Sequence, residues 1–141
     1  MKIRRLTESD ADYAEFLPLI REFRDTSFTA AQFRAQLAQI ETAGGEIWVA
    51  DESGTLYATA TVLYEPKFIR DLATVAHVED VCVKTSMRGL GLGKQLIQHV
   101  CAAAKDKGCY KILLDCTDEN VEFYHKCGLN RVGNQMCVYY V

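Results

Sequence analysis

Apolar and polar residues alternate along the chain in runs that mark out short elements. Residues 2–6 read as a first strand, and Thr7, Ser9 and Asp10 behind it supply capping side chains for a helix. Tyr13, Phe16, Leu17, Ile20 and Phe23 then recur at helical spacing and give that helix one apolar face. Thr29-Ala30-Ala31-Gln32 has the form of a capping box and opens a second helix that runs to about Thr42 and stops at Gly44-Gly45. Residues 46–50 and 55–64 read as strands joined by a turn at Asp51-Glu52-Ser53-Gly54, and 66–74 as a loop. Residues 75–83 alternate as another strand. A polar, glycine-rich stretch over 84–92 leads into a helix built on Leu92, Leu96, Ile97, Val100, Cys101 and Ala104, which ends at Gly108. Residues 110–115 form an apolar strand and 118–127 a short helix closed by Gly128. Two last strands are predicted over 129–132 and 135–140. The order β, α, α, β, β, β, α, β, α, β, β describes a mixed α/β or α+β domain around one sheet, and no repeat or linker divides residues 1–141.

Composition narrows the function. The 141 residues, with 49% hydrophobic and 25% charged, match an ordinary globular chain and exclude a disordered or fibrous one. A chain of this length buries roughly 70% of its unfolded surface, enough for a core without staples. The net charge of −3 argues against broad nucleic-acid binding, which needs a basic face. No apolar run is long enough for a membrane span. Met1 to Glu8 turns acidic where a secretory signal needs its apolar stretch, and the sequence points to a cytoplasmic, reducing setting. The six cysteines are accordingly read as thiols; the nearest two lie seven residues apart, so no C-x-x-C pair exists. His77, His99 and His125 show no metal-ligand spacing, and no metal is expected.

The most informative stretch is Arg88-Gly89-Leu90-Gly91-Leu92-Gly93-Lys94, placed after a strand and before a helix. Glycines allow positive φ and close backbone approach. The first N–H groups of a helix lack internal partners and carry positive partial charge, so the two features together seat phosphates. The dinucleotide pattern fails, because the sixth position from Gly89 is Lys94. The Walker pattern fails too, with Arg88 and Gln95 where a Gly and a Ser or Thr belong. The pattern that fits is [Q/R]-x-x-G-x-[G/A], and it resembles the acyl-CoA pyrophosphate loop of the GNAT superfamily of N-acetyltransferases.

Neighbouring segments narrow the likeness. Lys67-Phe68-Ile69-Arg70, His77 to Val83, the glycine loop, Gly108 to Cys116 and Asn120-Val121-Glu122-Phe123-Tyr124-His125-Lys126-Cys127-Gly128 together resemble the glucosamine-6-phosphate N-acetyltransferases. The likeness covers residues 67–128; the first 60 residues match in layout only. It implies a GNAT fold, one mixed and mostly antiparallel sheet flanked by helices. It also implies a reaction in which the amine of D-glucosamine 6-phosphate attacks acetyl-CoA, giving N-acetylglucosamine 6-phosphate for UDP-N-acetylglucosamine synthesis. The implied enzyme is metal-free and homodimeric, with C-terminal strands meeting across the interface. The apolar tail Met136-Cys137-Val138-Tyr139-Tyr140-Val141 suits that, since its exposure in a monomer is an edge hazard.

The resemblance also assigns residues. The backbone of Val81, Cys82 and Val83 meets pantetheine and the acetyl carbonyl, and Arg88, Gly89, Leu90, Gly91, Leu92 and Gly93 seat the pyrophosphate. Glu79, Asp80 and Val81 match sugar contacts; adjacent in a strand, the two acids are expected to look to opposite sides. Lys67 and Arg70, with Phe68 and Ile69 between them, and Tyr110 with Lys111 are expected around the sugar phosphate, Arg being suited by its fork. Thr26 is a further candidate for the substrate side. Asp115 closes an apolar strand, so it is expected as a buried carboxylate beside the substrate ammonium, or alternatively as a helix cap. Tyr124 is the expected acid at the CoA sulfur, or alternatively a core aromatic, with His125 and Lys126 touching CoA. Two departures stand out. Arg70 stands where animal and fungal members often have His, and residues 136–141 hold no basic residue, which shifts phosphate binding toward Arg70 and Lys111. Two other readings stay open: a GNAT enzyme acting on an amine without phosphate, such as a polyamine or a protein lysine, and a CoA-binding sensor without catalysis.

Overall fold

Capping side chains place the first two helices. The structure, a computed structural model, describes residues 1–141. Ser9 accepts a hydrogen bond from the Asp12 amide at the start of α1 (Asp10–Phe23). Both arms of the Thr29–Gln32 capping box form at the start of α2 (Ala30–Thr42). β1 (Lys2–Arg5) precedes α1, and β2 (Glu46–Glu52), β3 (Thr55–Pro66) and β4 (Thr74–Val83) follow α2; these four strands pair antiparallel in chain order. α3 (Ile69–Leu72) is a single turn between β3 and β4. α4 (Leu92–Asp106) crosses over to β5 (Lys111–Leu113), which pairs parallel to β4, and α5 (Val121–Lys126) follows. The sheet order is β1-β2-β3-β4-β5.

Each face of the sheet has its own core. On one side Leu92, Leu96, Ile97, Val100 and Ala104 of α4 pack on Ala50, Ala58, Ala60, Val62, Ala76 and Val78. The small alanines let the helix lie close. On the other side Phe16, Leu19, Phe33 and Leu37 of α1 and α2 pack on Leu6, Ile47, Val49, Leu56 and Cys82. Arg4 ties β1 to both neighbours, donating to Asp12 at 2.8 and 2.9 Å and to Asp51 at 2.8 Å. Burial pushes the Asp12 carboxyl up, yet the bonds from Arg4 and Thr7 hold it below the usual carboxylate range.

One irregularity in β4 positions the site. Thr61 pairs with Glu79 and Thr59 with Cys82, so Asp80 and Val81 together face the single residue Ala60. This is a β-bulge, and Asp80 takes a positive φ of 50°. The bulge reverses the inside-outside alternation: Ala76 and Val78 face α4 before it, whereas Val81 and Val83 do so after it and Cys82 turns to the opposite core.

Three sequence expectations are corrected. The apolar strand expected over 110–115 is paired only over Lys111–Leu113. The loop expected over 66–74 contains a left-handed turn in which Arg70, Asp71 and Leu72 have φ of 52°, 57° and 65°. A backbone bond from Lys67 N to Ala73 O closes it at 2.8 Å. The strands expected over 129–132 and 135–140 do not form, and Met136, Val138, Tyr139, Tyr140 and Val141 stand exposed. A strand needs an edge to pair with, and three-residue β5 leaves almost none.

Candidate active site

β4 and β5 pair only as far as His77 and Leu113. Beyond that point β4 runs on to Val83 with its β5 side unpaired, while the other chain leads through Leu114 to Asp115 and Cys116. The two strands therefore part, and their split opens beside the start of α4. A cavity of about 570 Å3 lies alongside, lined by Asp115, Cys116, Tyr124, His125 and residues 128–135 of the tail.

Around the split, the glycine loop takes the form its sequence requires. A 3-10 turn, Thr85–Met87, leaves β4, and Gly89 and Gly91 follow with φ of 80° and 83°. Gly91 is the cap residue of α4 and supplies no side chain, so the first N–H groups of that helix stay open to a ligand. Gly93 has a different duty. A Cβ there would lie 3.0 Å from the Phe123 ring and 3.2 Å from Val83, so its hydrogen lets α4 pack against α5 and β4. Arg88 donates to the Val83 carbonyl at 3.2 Å. Leu90 is exposed and Leu92 buried. The Cys82 side chain is remote from the split; its thiol donates to Leu19 O at 3.4 Å in the opposite core, so only its backbone remains for the site.

Three carboxylates gather at the opening. Burial pushes the Glu79 carboxyl up, and the charges of Asp115 and Asp80 push it further. Asp115 is exposed, contrary to the burial expected from its strand, because that strand ends at Leu113. It accepts a hydrogen bond from Gln135 Nε2 at 2.8 Å. Nor does it cap the turn at Asp118, whose cap position is Thr117. Asp80 lines a second cavity of about 640 Å3 with Thr26, Gln32 and Thr61. Thr61 is also the cross-strand partner of Glu79, so the bulge leaves both acids toward this face, and the opposite facing expected from simple alternation does not hold.

Tyr124 is half-buried, its ring edge-on to Phe123 at 4.9 Å. Burial, then the nearby Cys116 and Cys127, push its phenol up to about 12. It stays protonated through the physiological range. Full transfer of its proton to a thiolate of pKa about 8.5 runs uphill, so the phenol is suited to donating a hydrogen bond to sulfur. His125 and Lys126 are exposed on α5.

The cations divide into two sets. Lys67 is half-buried and already paired with Glu65 at 3.2 Å, and Glu65 also meets His77 at 2.8 Å. Arg70 and Lys111 instead flank the Tyr110 ring, at 4.7 and 5.6 Å from its centre, and neither forms an ion pair. Both are exposed, as are Phe68 and Ile69. The sequence did not single out Gln135 or the Glu65–His77 contact. The first lies in a segment without regular structure, and the second is a cross-strand neighbour legible only once the register is known.

The chain matches the acetyltransferase (GNAT) family model over residues 11–129. It belongs to that family, whose members use acetyl-CoA. It is 38% identical to the glucosamine 6-phosphate N-acetyltransferase of Arabidopsis thaliana over 144 residues, spanning 99% of this chain and 96% of that protein. The enzyme of the same name from Trypanosoma brucei brucei is 32% identical, over 96% of this chain and 93% of that one. The crystal structure of the Arabidopsis enzyme superposes with a TM-score of 0.93 at 35% identity, covering 99% of this chain and 98% of that chain. Within the family the chain's place is with the glucosamine 6-phosphate N-acetyltransferases.

At Gly91 a Cβ would meet nothing within 4 Å, so substitution acts through backbone strain at φ 83°. Gly91→Val, β-branched in the left-handed region, should shift the loop and raise the acetyl-CoA Kd at least roughly tenfold with the core intact. Calorimetry showing parent-like affinity would remove the loop from the site.

Proposed function

We propose that this protein transfers acetyl from acetyl-CoA to the amine of D-glucosamine 6-phosphate by direct attack, releasing N-acetyl-D-glucosamine 6-phosphate and CoA. The whole chain, 1–141, is one catalytic domain in this reading. The observation that carries it is the meeting, in a chain matched end to end by enzymes of that name, of an open β4–β5 split with two unpaired cations on Tyr110. Unpaired cations at one end of two strands that carry carboxylates toward the other suit a ligand with one amine and one phosphate.

The chemistry follows from the groups present. Acetyl-CoA lies along the free side of β4 with its pyrophosphate on residues 88–93. Backbone N–H groups of residues 81–83 polarise the acetyl carbonyl. Asp115 and Glu79 hold the amine. The nitrogen lone pair attacks the carbonyl carbon, and the tetrahedral intermediate collapses by breaking the C–S bond. Glu79, whose proton affinity is raised, takes the proton the nitrogen loses, directly or through water. Tyr124 donates its hydrogen bond to the departing sulfur. Attack on a thioester needs no metal. The six free thiols suit a reducing compartment, and we place the enzyme in the cytoplasm.

The exposed apolar tail and the exposed Phe68, Ile69 and Leu72 support a homodimer. Light scattering at micromolar concentration should give twice the chain mass, and a monomer there would remove the tail from any interface.

Glucosamine 6-phosphate should be acetylated with a kcat/KM roughly 100-fold or more above that of glucosamine, because the phosphate alone satisfies Arg70 and Lys111. A thiol-release assay with both sugars decides this. Comparable values would favour an enzyme of phosphate-free amines, and no turnover of any amine would favour a sensor.

Tyr124→Phe removes one oxygen and keeps the ring. It should lower kcat roughly 10- to 100-fold and leave the acetyl-CoA Kd within about twofold. Turnover at the parent rate would make Tyr124 a packing residue.

A further inference from the structure

Glu22 sits in the last turn of α1, where a negative charge opposes the helix dipole. Its compensation comes from 63 residues away. One oxygen, Oε1, accepts from the Thr85 amide at 2.8 Å and from Thr85 Oγ1 at 2.7 Å. Thr85 opens the 3-10 turn Thr85–Met87, and the turn's own cap residue, Lys84, gives it no side-chain bond. Glu22 therefore caps that turn from another element.

We infer that Glu22 is a positioning residue for acetyl-CoA, holding the turn that delivers Arg88, Gly89 and Gly91 to the pyrophosphate. The inference rests on the reading of residues 88–93 as the pyrophosphate seat. Few other ties hold the stretch between β4 and α4. Lys84 N donates to Tyr57 O at 2.8 Å, and Arg88 Nε reaches Val83 O at 3.2 Å. Gly89 and Gly91 add freedom just beyond. A loop with two glycines loses much conformational entropy when it closes on a ligand, and a fixed entry turn lowers that loss. The Glu22 side chain is exposed and belongs to neither core, so its bonds serve the loop and not the packing. The two bonds from Thr85, and after them the charges of Lys84 and Arg88, hold its carboxyl below the usual carboxylate range.

The test compares Glu22→Ala with Glu22→Gln, measuring acetyl-CoA Kd by calorimetry without sugar and then both KM values. The Ala variant should bind acetyl-CoA roughly tenfold more weakly, while the sugar KM at saturating acetyl-CoA stays within about twofold. The Gln variant, whose amide oxygen can accept both bonds, should recover most of that affinity. Parent-like Kd in the Ala variant, an equal rise in both KM values, or a Gln variant as weak as Ala would each overturn the inference. If Glu22→Ala does not fold, Thr85→Ala, which removes only the hydroxyl bond, should weaken acetyl-CoA about threefold, and unchanged affinity there overturns it as well. Sugar plays no part in the Kd measurement, so failure of the acceptor assignment leaves this result intact. A parent protein that does not bind acetyl-CoA would instead bring down the loop reading and this inference with it.

Discussion

The site depends on β4 being paired along one side and abandoned along half of the other. β4 and β5 are parallel and linked by α4, so the outgoing ends of both strands and the incoming end of the helix lie together. Parting the strands there frees backbone groups along the second half of β4, on the side that the short edge strand β5 no longer covers. Parallel sheets gather ligands at the carboxyl ends of their strands for this reason. The antiparallel run β1 to β4 makes the separation tolerable, because β3 holds β4 along most of its length.

Charge is sorted around that opening. Carboxylates from β4 and from the segment after β5 stand at its mouth, and the unpaired cations sit at the other ends of the same two strands, where α3 enters β4 and Lys111 begins β5. Lys67, by contrast, is neutralised by Glu65, which leaves it a fixed part of the strand pair. The net charge of −3 says nothing of this arrangement; only the distribution does.

Features written in local side-chain chemistry were legible in the sequence. The Thr29 capping box, the apolar face of α4 and the glycine loop each need only a few neighbouring residues, and each formed. Features that depend on pairing were not. Asp80 carries no glycine signal, yet the bulge gives it a positive φ. Residues 135–140 alternate like a strand but have no edge in the chain to join. Asp115 reads as buried only if its strand continues, and the pairing stops two residues before it. Glu22 did leave a mark, an acid at the wrong end of a helix, though its partner could be found only from the fold.

The left-handed turn at α3 sets robustness against reach. Arg70, Asp71 and Leu72 hold conformations that cost L-residues about 1–2 kcal/mol each, and none is a glycine. That strain turns Arg70 back over Tyr110. A search for a hardier version of this protein would find its easiest gains by placing glycines here. Each would also widen the arc through which the guanidinium swings, so heat tolerance gained at these positions is drawn from the fixed seat of Arg70 on the Tyr110 ring.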